Sequence, residues 1–283
     1  MQITSHLRII VGVLVLQPLN EMRAQSVDTM RVTVHGHRMQ LLVSGTGGPT
    51  AILESGDRST HRAWRRVRDS LSAFTQVVAY DRAGLGQSEL CPGARDAQTI
   101  ARELRAALTA ARIPPPYFLV GHSAGTLFVR VFASLFPNDV HGVLLLDPAM
   151  VDFYPRVERT YPEMAKRFMA LDSIDRLTNT PGELAEDAGW ETSLEQAKAS
   201  DAMFRAPTTL LSAGVRPDLE VLEGMFREEQ QRWAARKRNV TFRIVSHTGH
   251  TIQADRPDTV LAVIRSMRAA RAPSVAAPER RDH

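Results

Sequence analysis

The sequence predicts an α/β fold, a mostly parallel central sheet flanked by helices. Short apolar runs at residues 50–54, 76–80, 116–120, 140–146, 207–211 and 240–245 have the length and composition of strands buried on both faces. Stretches of helical period separate most of them, and such alternation implies parallel pairing through right-handed crossovers. At 283 residues and 43% hydrophobic, the chain has the apolar mass for one core of this kind without division into two domains.

The first 24 residues stand apart from that pattern. Residues 1–8 carry one positive charge and no acid, residues 9–16 are almost wholly apolar, and small Ala24 follows a short polar stretch. That order predicts a secretory signal peptide over residues 1–24, and with it a secreted or periplasmic protein. Met22 is not the small residue that a cleavage site prefers, so an uncleaved anchor is the alternative. The apolar run is short for a membrane span, and no stable span is expected once the signal is removed.

Residues 30–43 alternate apolar and polar side chains around Gly36, which predicts a β-hairpin at a sheet edge. His35 and His37 flank its turn without partners at a ligand spacing, and no metal is expected there. The glycine-rich loop at residues 45–49 lacks the lysine of a phosphate-binding loop and reads as a turn. Strand 50–54 then ends in Ser55-Gly56-Asp57, a loop whose glycine lets the Asp57 backbone N–H approach a ligand at the carboxyl end of the sheet.

Arg62, Arg65, Arg66 and Arg68 form the wet side of a helix whose apolar side is Trp64, Val67 and Leu71. A formal charge of +4 distributed in this way argues for solvated faces and against a nucleic-acid partner. Strand 76–80 leads into Asp81-Arg82-Ala83-Gly84-Leu85-Gly86-Gln87-Ser88, where the Asp and Arg are expected to fix loop backbone by charge-assisted hydrogen bonds. Cys91, the only cysteine, sits in no catalytic motif and reads as a structural thiol. Ile100, Leu104 and Leu108 mark the next helix.

The chemistry centres on Gly121-His122-Ser123-Ala124-Gly125. This G-x-S-x-G run joins strand 116–120 to a helix over residues 124–136, and a serine on such a sharp turn has its hydroxyl pushed out of the sheet. Ser123 is therefore the candidate nucleophile. Strand 140–146 delivers Asp147 at its tip, at the same end of the sheet. The alternation then stops, and residues 148–205 predict a small helical insert over the site, whose aromatic and Met side chains are candidates for a pocket lining. The core is accordingly residues 26–147 with 206–271, followed by a disordered tail at 272–283.

A serine hydroxyl is a weak nucleophile until a base takes its proton, and a third group must hold that base in one tautomer. His250, in the loop after strand 240–245 and behind Gly249, is the best placed base, with His247 its rival. His122 is expected to point away from the nucleophile.

These residues give the chain its resemblance to the α/β-hydrolase superfamily, in the single-lid group of esterases. It covers about Arg31 to Arg268 and rests on Gly56-Asp57, the run from Asp81 to Ser88, the GHSAG pentapeptide, and the late Gly249-His250 followed by Ile252-Gln253 and Pro257. The resemblance implies the α/β-hydrolase fold with a lid, and a serine hydrolase that cleaves a small, mostly apolar ester, amide or lactone through an acyl-enzyme. It implies no cofactor, His250 as the proton relay, and the backbone amides of Asp57 and Ala124 as the oxyanion hole. For the acid it leaves two positions: Asp147, preferred because its strand neighbours that of the serine, and Asp218, with Glu220 or a lid carboxylate as further alternatives. A ligand-sensing protein, or a lyase or perhydrolase, would use the same residues, since fold alone does not select the reaction. The oligomeric state is not legible in the sequence.

Overall fold

The computed structural model describes residues 26–215 and 222–269. The predicted signal segment, the tail at 272–283, Asp218 and Glu220 lie outside these described residues.

Eight strands form one sheet in the order β1-β2-β4-β3-β5-β6-β7-β8. β1 (Asp28–Val34) and β2 (His37–Ser44) make the expected edge hairpin. His35 and Gly36 both take positive φ, 49° and 84°, the geometry whose twist matches a two-residue hairpin loop. β2 also pairs antiparallel with β4 (Val77–Tyr80). From there β4, β3 (Thr50–Glu54), β5 (Tyr117–His122), β6 (Val140–Leu146), β7 (Thr208–Ala213) and β8 (Val240–Val245) run parallel.

The period of two along each strand sorts its side chains onto two faces. Ile52, Val78, Leu119, Val143, Leu145 and Leu210 meet α2 (Ala97–Ala110) and α3 (Gly125–Leu135) on one face. Leu53, Ala79, Val120, Leu144 and Leu146 meet Trp64, α1 (Arg65–Leu71) and the closing helix on the other. Trp64, Val67 and Leu71 are fully buried, each contributing about 1.5–3 kcal/mol of transfer free energy, while Arg62, Arg65 and Arg66 are exposed as expected. α2 starts where the Asp96 side chain accepts from Thr99 N at 3.0 Å.

Between β6 and β7 the chain makes four helices, α4 (Phe153–Thr160), α5 (Pro162–Asp175), α6 (Pro181–Ala188) and α7 (Trp190–Ser200). They differ in how they are held. α6 touches the core backbone to backbone: a Cβ on Gly182 would lie 2.0 Å from the Gly84 carbonyl oxygen, and one on Gly189 would lie 2.7 Å from the Arg95 backbone. α5 and the turn after it instead present Met169, Leu171, Ile174 and Leu177 to solvent. The expected pocket lining is partly corrected here. Phe153 packs against Phe226 and Phe204 against Trp233, both inside the core, and Met169 and Met203 are exposed.

After β7, α8 (Glu223–Ala235) leads to β8, and a short helix, α9 (Ile252–Asp255), precedes α10 (Pro257–Ala269). Among the described residues no helix is long and apolar enough to cross a membrane.

Candidate active site

Ser123 sits between β5 and α3 with φ at +50°, a left-handed conformation that costs a non-glycine residue free energy and persists only where its surroundings impose it. Those surroundings are visible. A Cβ on Gly121 would come within 2.8 Å of the Val129 side chain, and one on Gly125 within 2.4 Å of the Ser55 carbonyl oxygen, so only glycine fits at both. Ser123 N donates to Leu146 O at 3.0 Å, which ties the turn to the tip of β6. Ala124 opens α3, where the first N–H groups of a helix lack intrahelical acceptors.

The loop after β3 runs against this turn. A Cβ on Gly56 would lie 3.2 Å from the Ser123 Cβ, so the Ser55-Gly56-Asp57 backbone passes directly beside the serine. Asp57 and Ala124, the expected backbone donors, thus flank Ser123 from two different elements.

β6 is followed directly by Asp147, which is fully buried and also has a positive φ, 45°. Its backbone N donates to Leu211 O at 2.7 Å, and its Oδ1 accepts from Ala213 N and from Gln230 Nε2, both at 3.1 Å. Its Oδ2 lies 2.6 Å from His250 Nδ1, a charge-assisted length. Of the two histidines in that loop, it is His250 that meets Asp147. The loop itself is pinned by Gly249 N donating to Asp255 Oδ2 at 2.9 Å and Thr248 Oγ1 donating to Val245 O at 2.8 Å.

His122, expected to turn away from the nucleophile, bonds to the loop that carries His250. Its Nε2 donates to the backbone carbonyl of His250 at 2.9 Å, and the two rings lie 4.7 Å apart. The histidine preceding the serine is therefore tied to the loop that carries His250.

Asp81 behaves as expected for a loop organiser, accepting from His61 N at 2.9 Å and Gln87 N at 3.1 Å. Arg82 does more than order its own loop. It is buried and binds Glu54 Oε1 at 2.7 Å, Ser55 O at 2.8 Å and Gly56 O at 2.9 Å, while Nε and Nη2 fork onto the two oxygens of Glu186 on α6 at 2.7 and 2.8 Å. Tyr80 Oη donates to Glu54. Burial opposes the Arg82 charge, but Glu186 and Glu54 outweigh it and hold its pKa well above the ordinary value. Removing one member of such a buried pair typically costs about 3–5 kcal/mol. Arg58, next to Asp57, reaches Asp172 on α5 at 3.2 Å and Asp187 on α6 at 3.5 Å. Neither Glu186 nor Gln230 was singled out from the sequence, because each is one polar residue among many on a helix.

Burial pushes the Cys91 thiol pKa up, which disfavours the reactive thiolate. A surface cavity of about 430 Å³ lined by Asp201, Phe204, Arg205, Arg236, Lys237 and Asn239 lies at the amino ends of β7 and β8, the opposite end of the sheet from Ser123.

Residues 33–263 match the sequence profile of the alpha/beta hydrolase family. The chain belongs to that family. This alpha/beta hydrolase is 33% identical over 108 residues to YqjL, an uncharacterized protein of Bacillus subtilis (strain 168), an alignment covering 38% of this chain and 43% of YqjL. The chain spans under half the length of the curated relatives it matches first. Among solved structures, Cfl2 from Burkholderia cenocepacia superposes with a TM-score of 0.67 at 21% identity, covering 86% of this chain and 96% of Cfl2. A thermophilic esterase from Thermogutta terrifontis superposes with a TM-score of 0.63 at 18% identity, covering 85% and 97%. At such identities the two structures speak to the shared fold.

Proposed function

We propose that this alpha/beta hydrolase is a serine hydrolase cleaving a small, mostly apolar carboxylic ester, or the related amide or lactone. The observation that carries this reading is the 2.6 Å contact from His250 Nδ1 to buried Asp147, in a loop bonded directly to the turn that holds Ser123 at φ +50°.

In this reading Ser123 Oγ attacks the substrate carbonyl carbon while His250 Nε2 takes the hydroxyl proton. Asp147 keeps the other ring nitrogen protonated and stabilises the imidazolium. The carbonyl π pair moves onto oxygen, and the N–H groups of Asp57 and Ala124 receive the oxyanion, each such donor being worth roughly 3–4 kcal/mol in known cases. Collapse breaks the bond to the leaving group, which takes the proton from His250. Water then repeats the sequence on the acyl-enzyme, releasing the acid and restoring Ser123. The helices between β6 and β7 act as the lid. Residues 1–24 as a signal peptide, and export from the cytoplasm, belong to the same proposal.

The test is Ser123→Ala against short p-nitrophenyl esters together with fluorophosphonate labelling. Loss of both turnover and label, with an unchanged thermal midpoint, is expected. Turnover equal to that of the parent would remove Ser123 from the mechanism.

A further inference from the structure

We propose that Arg82 is a positioning residue for the oxyanion hole, and that Glu186 on α6 holds Arg82 in place, so that the seating of the insert sets the direction of the Asp57 N–H. The proposal rests on the serine-hydrolase reading above and adds to it a coupling between lid and catalytic centre.

Gly56 C=O and Asp57 N–H belong to one peptide unit, and in a trans peptide the carbonyl and the N–H point in opposite directions. Arg82 Nη2 donates to Gly56 O at 2.9 Å, so fixing that oxygen on the guanidinium fixes the N–H on the other side of the same plane. Nη1 holds the preceding carbonyl, Ser55 O, at 2.8 Å. With two consecutive carbonyls bound, rotation of the Gly56–Asp57 peptide would break a charge-assisted bond in a buried place. A glycine next to the donor would otherwise make that rotation easy, because it is tolerated on either side of φ zero.

Arg82 in turn is aimed from outside the core. Glu186 accepts from Nε at 2.7 Å and from Nη2 at 2.8 Å, a two-pronged contact that orients the plane of the guanidinium rather than merely neutralising it. Glu54 binds only Nη1, at 2.7 Å. α6 is itself seated by the contact of Gly182 on Gly84, two residues from Arg82, so the helix packs directly on the loop that carries the arginine. A lysine at position 82 would keep the charge and lose the planar fork.

The experiment uses the full chain with Glu186→Gln and Arg82→Lys, a short ester substrate, a trifluoromethyl ketone of the same chain length, and the corresponding ether. Ser123 Oγ adds to the ketone carbon, its proton passing to His250, and the adduct places an oxyanion in the hole; the ether occupies the same space with no oxyanion. Expected for Glu186→Gln is a loss of about tenfold in kcat/KM, a fraction of what losing a whole oxyanion donor costs, matched by an equal loss of ketone affinity, with ether affinity unchanged. Arg82→Lys is expected to lose more in the same ratio. If kcat/KM and ketone affinity stay at parental values in either folded variant, or if ether affinity falls in parallel, Arg82 is a packing residue and the proposal is overturned. Failure of the serine reading is distinguishable, because it shows in the parent protein: no ketone adduct, and turnover that survives Ser123→Ala.

Discussion

Asp147 Oδ2 and His250 Nδ1 stand 2.6 Å apart although the two residues are separated by 103 positions. The carboxylate reaches the ring because the backbone N of Asp147 is tied to β7 and its Oδ1 accepts from Ala213 and Gln230. Asp147→Asn should therefore leave the fold intact and lower kcat by about 10²–10⁴, since the amide would favour the wrong histidine tautomer. Asp218→Asn should stay within a few fold of the parent. Steady-state kinetics on the two variants decides the acid, and the reverse ranking would assign it to Asp218.

Gly125→Ala places a methyl group 2.4 Å from Ser55 O and 2.8 Å from Glu54 O, both backbone atoms with nowhere to go. Overpacking of this kind costs about 1–3 kcal/mol. For a domain of this size that corresponds to a fall in thermal midpoint of roughly 2–4 °C per kcal/mol. The same methyl pushes on the loop carrying Asp57, so activity should fall together with stability. A variant that melts at the parental temperature would show that the β3 exit yields more freely than its packing implies.

Glu54 lies beneath the same loop, fully buried, and burial raises its pKa above the ordinary carboxylate value of 4.5 despite the opposing pull of Arg82. The folded state then binds this proton more tightly than the unfolded chain does. The contribution of Glu54 to stability is full below pH 4.5 and is lost as pH rises through the raised value. Glu54→Gln removes that dependence. Urea midpoints measured from pH 4 upward should decline less steeply in the variant than in the parent, and parallel curves would count against a raised Glu54.

The strands and the serine turn were legible because their signals are local. Apolar runs of strand length, a hairpin alternating about Gly36, and glycines at 121 and 125 each carry their reason within a few residues. The partner of His122 was not legible because it is the carbonyl of His250, a backbone atom with no signature in the sequence. Glu186 was missed for a similar cause: on an amphipathic helix an acidic residue reads as solvated, and only the packing of α6 onto Gly84 turns it inward to Arg82.

The sequence by itself determined the layering of this alpha/beta hydrolase and the position of its strained serine, because hydrophobic period and glycine sterics act over short stretches of chain. Only the tertiary structure decided which carboxylate faces His250 and which side chain grips the loop beside Ser123. Those choices depend on strand order and helix seating, which bring together groups a hundred residues apart, and a charge reveals its partner only when both have been taken out of water.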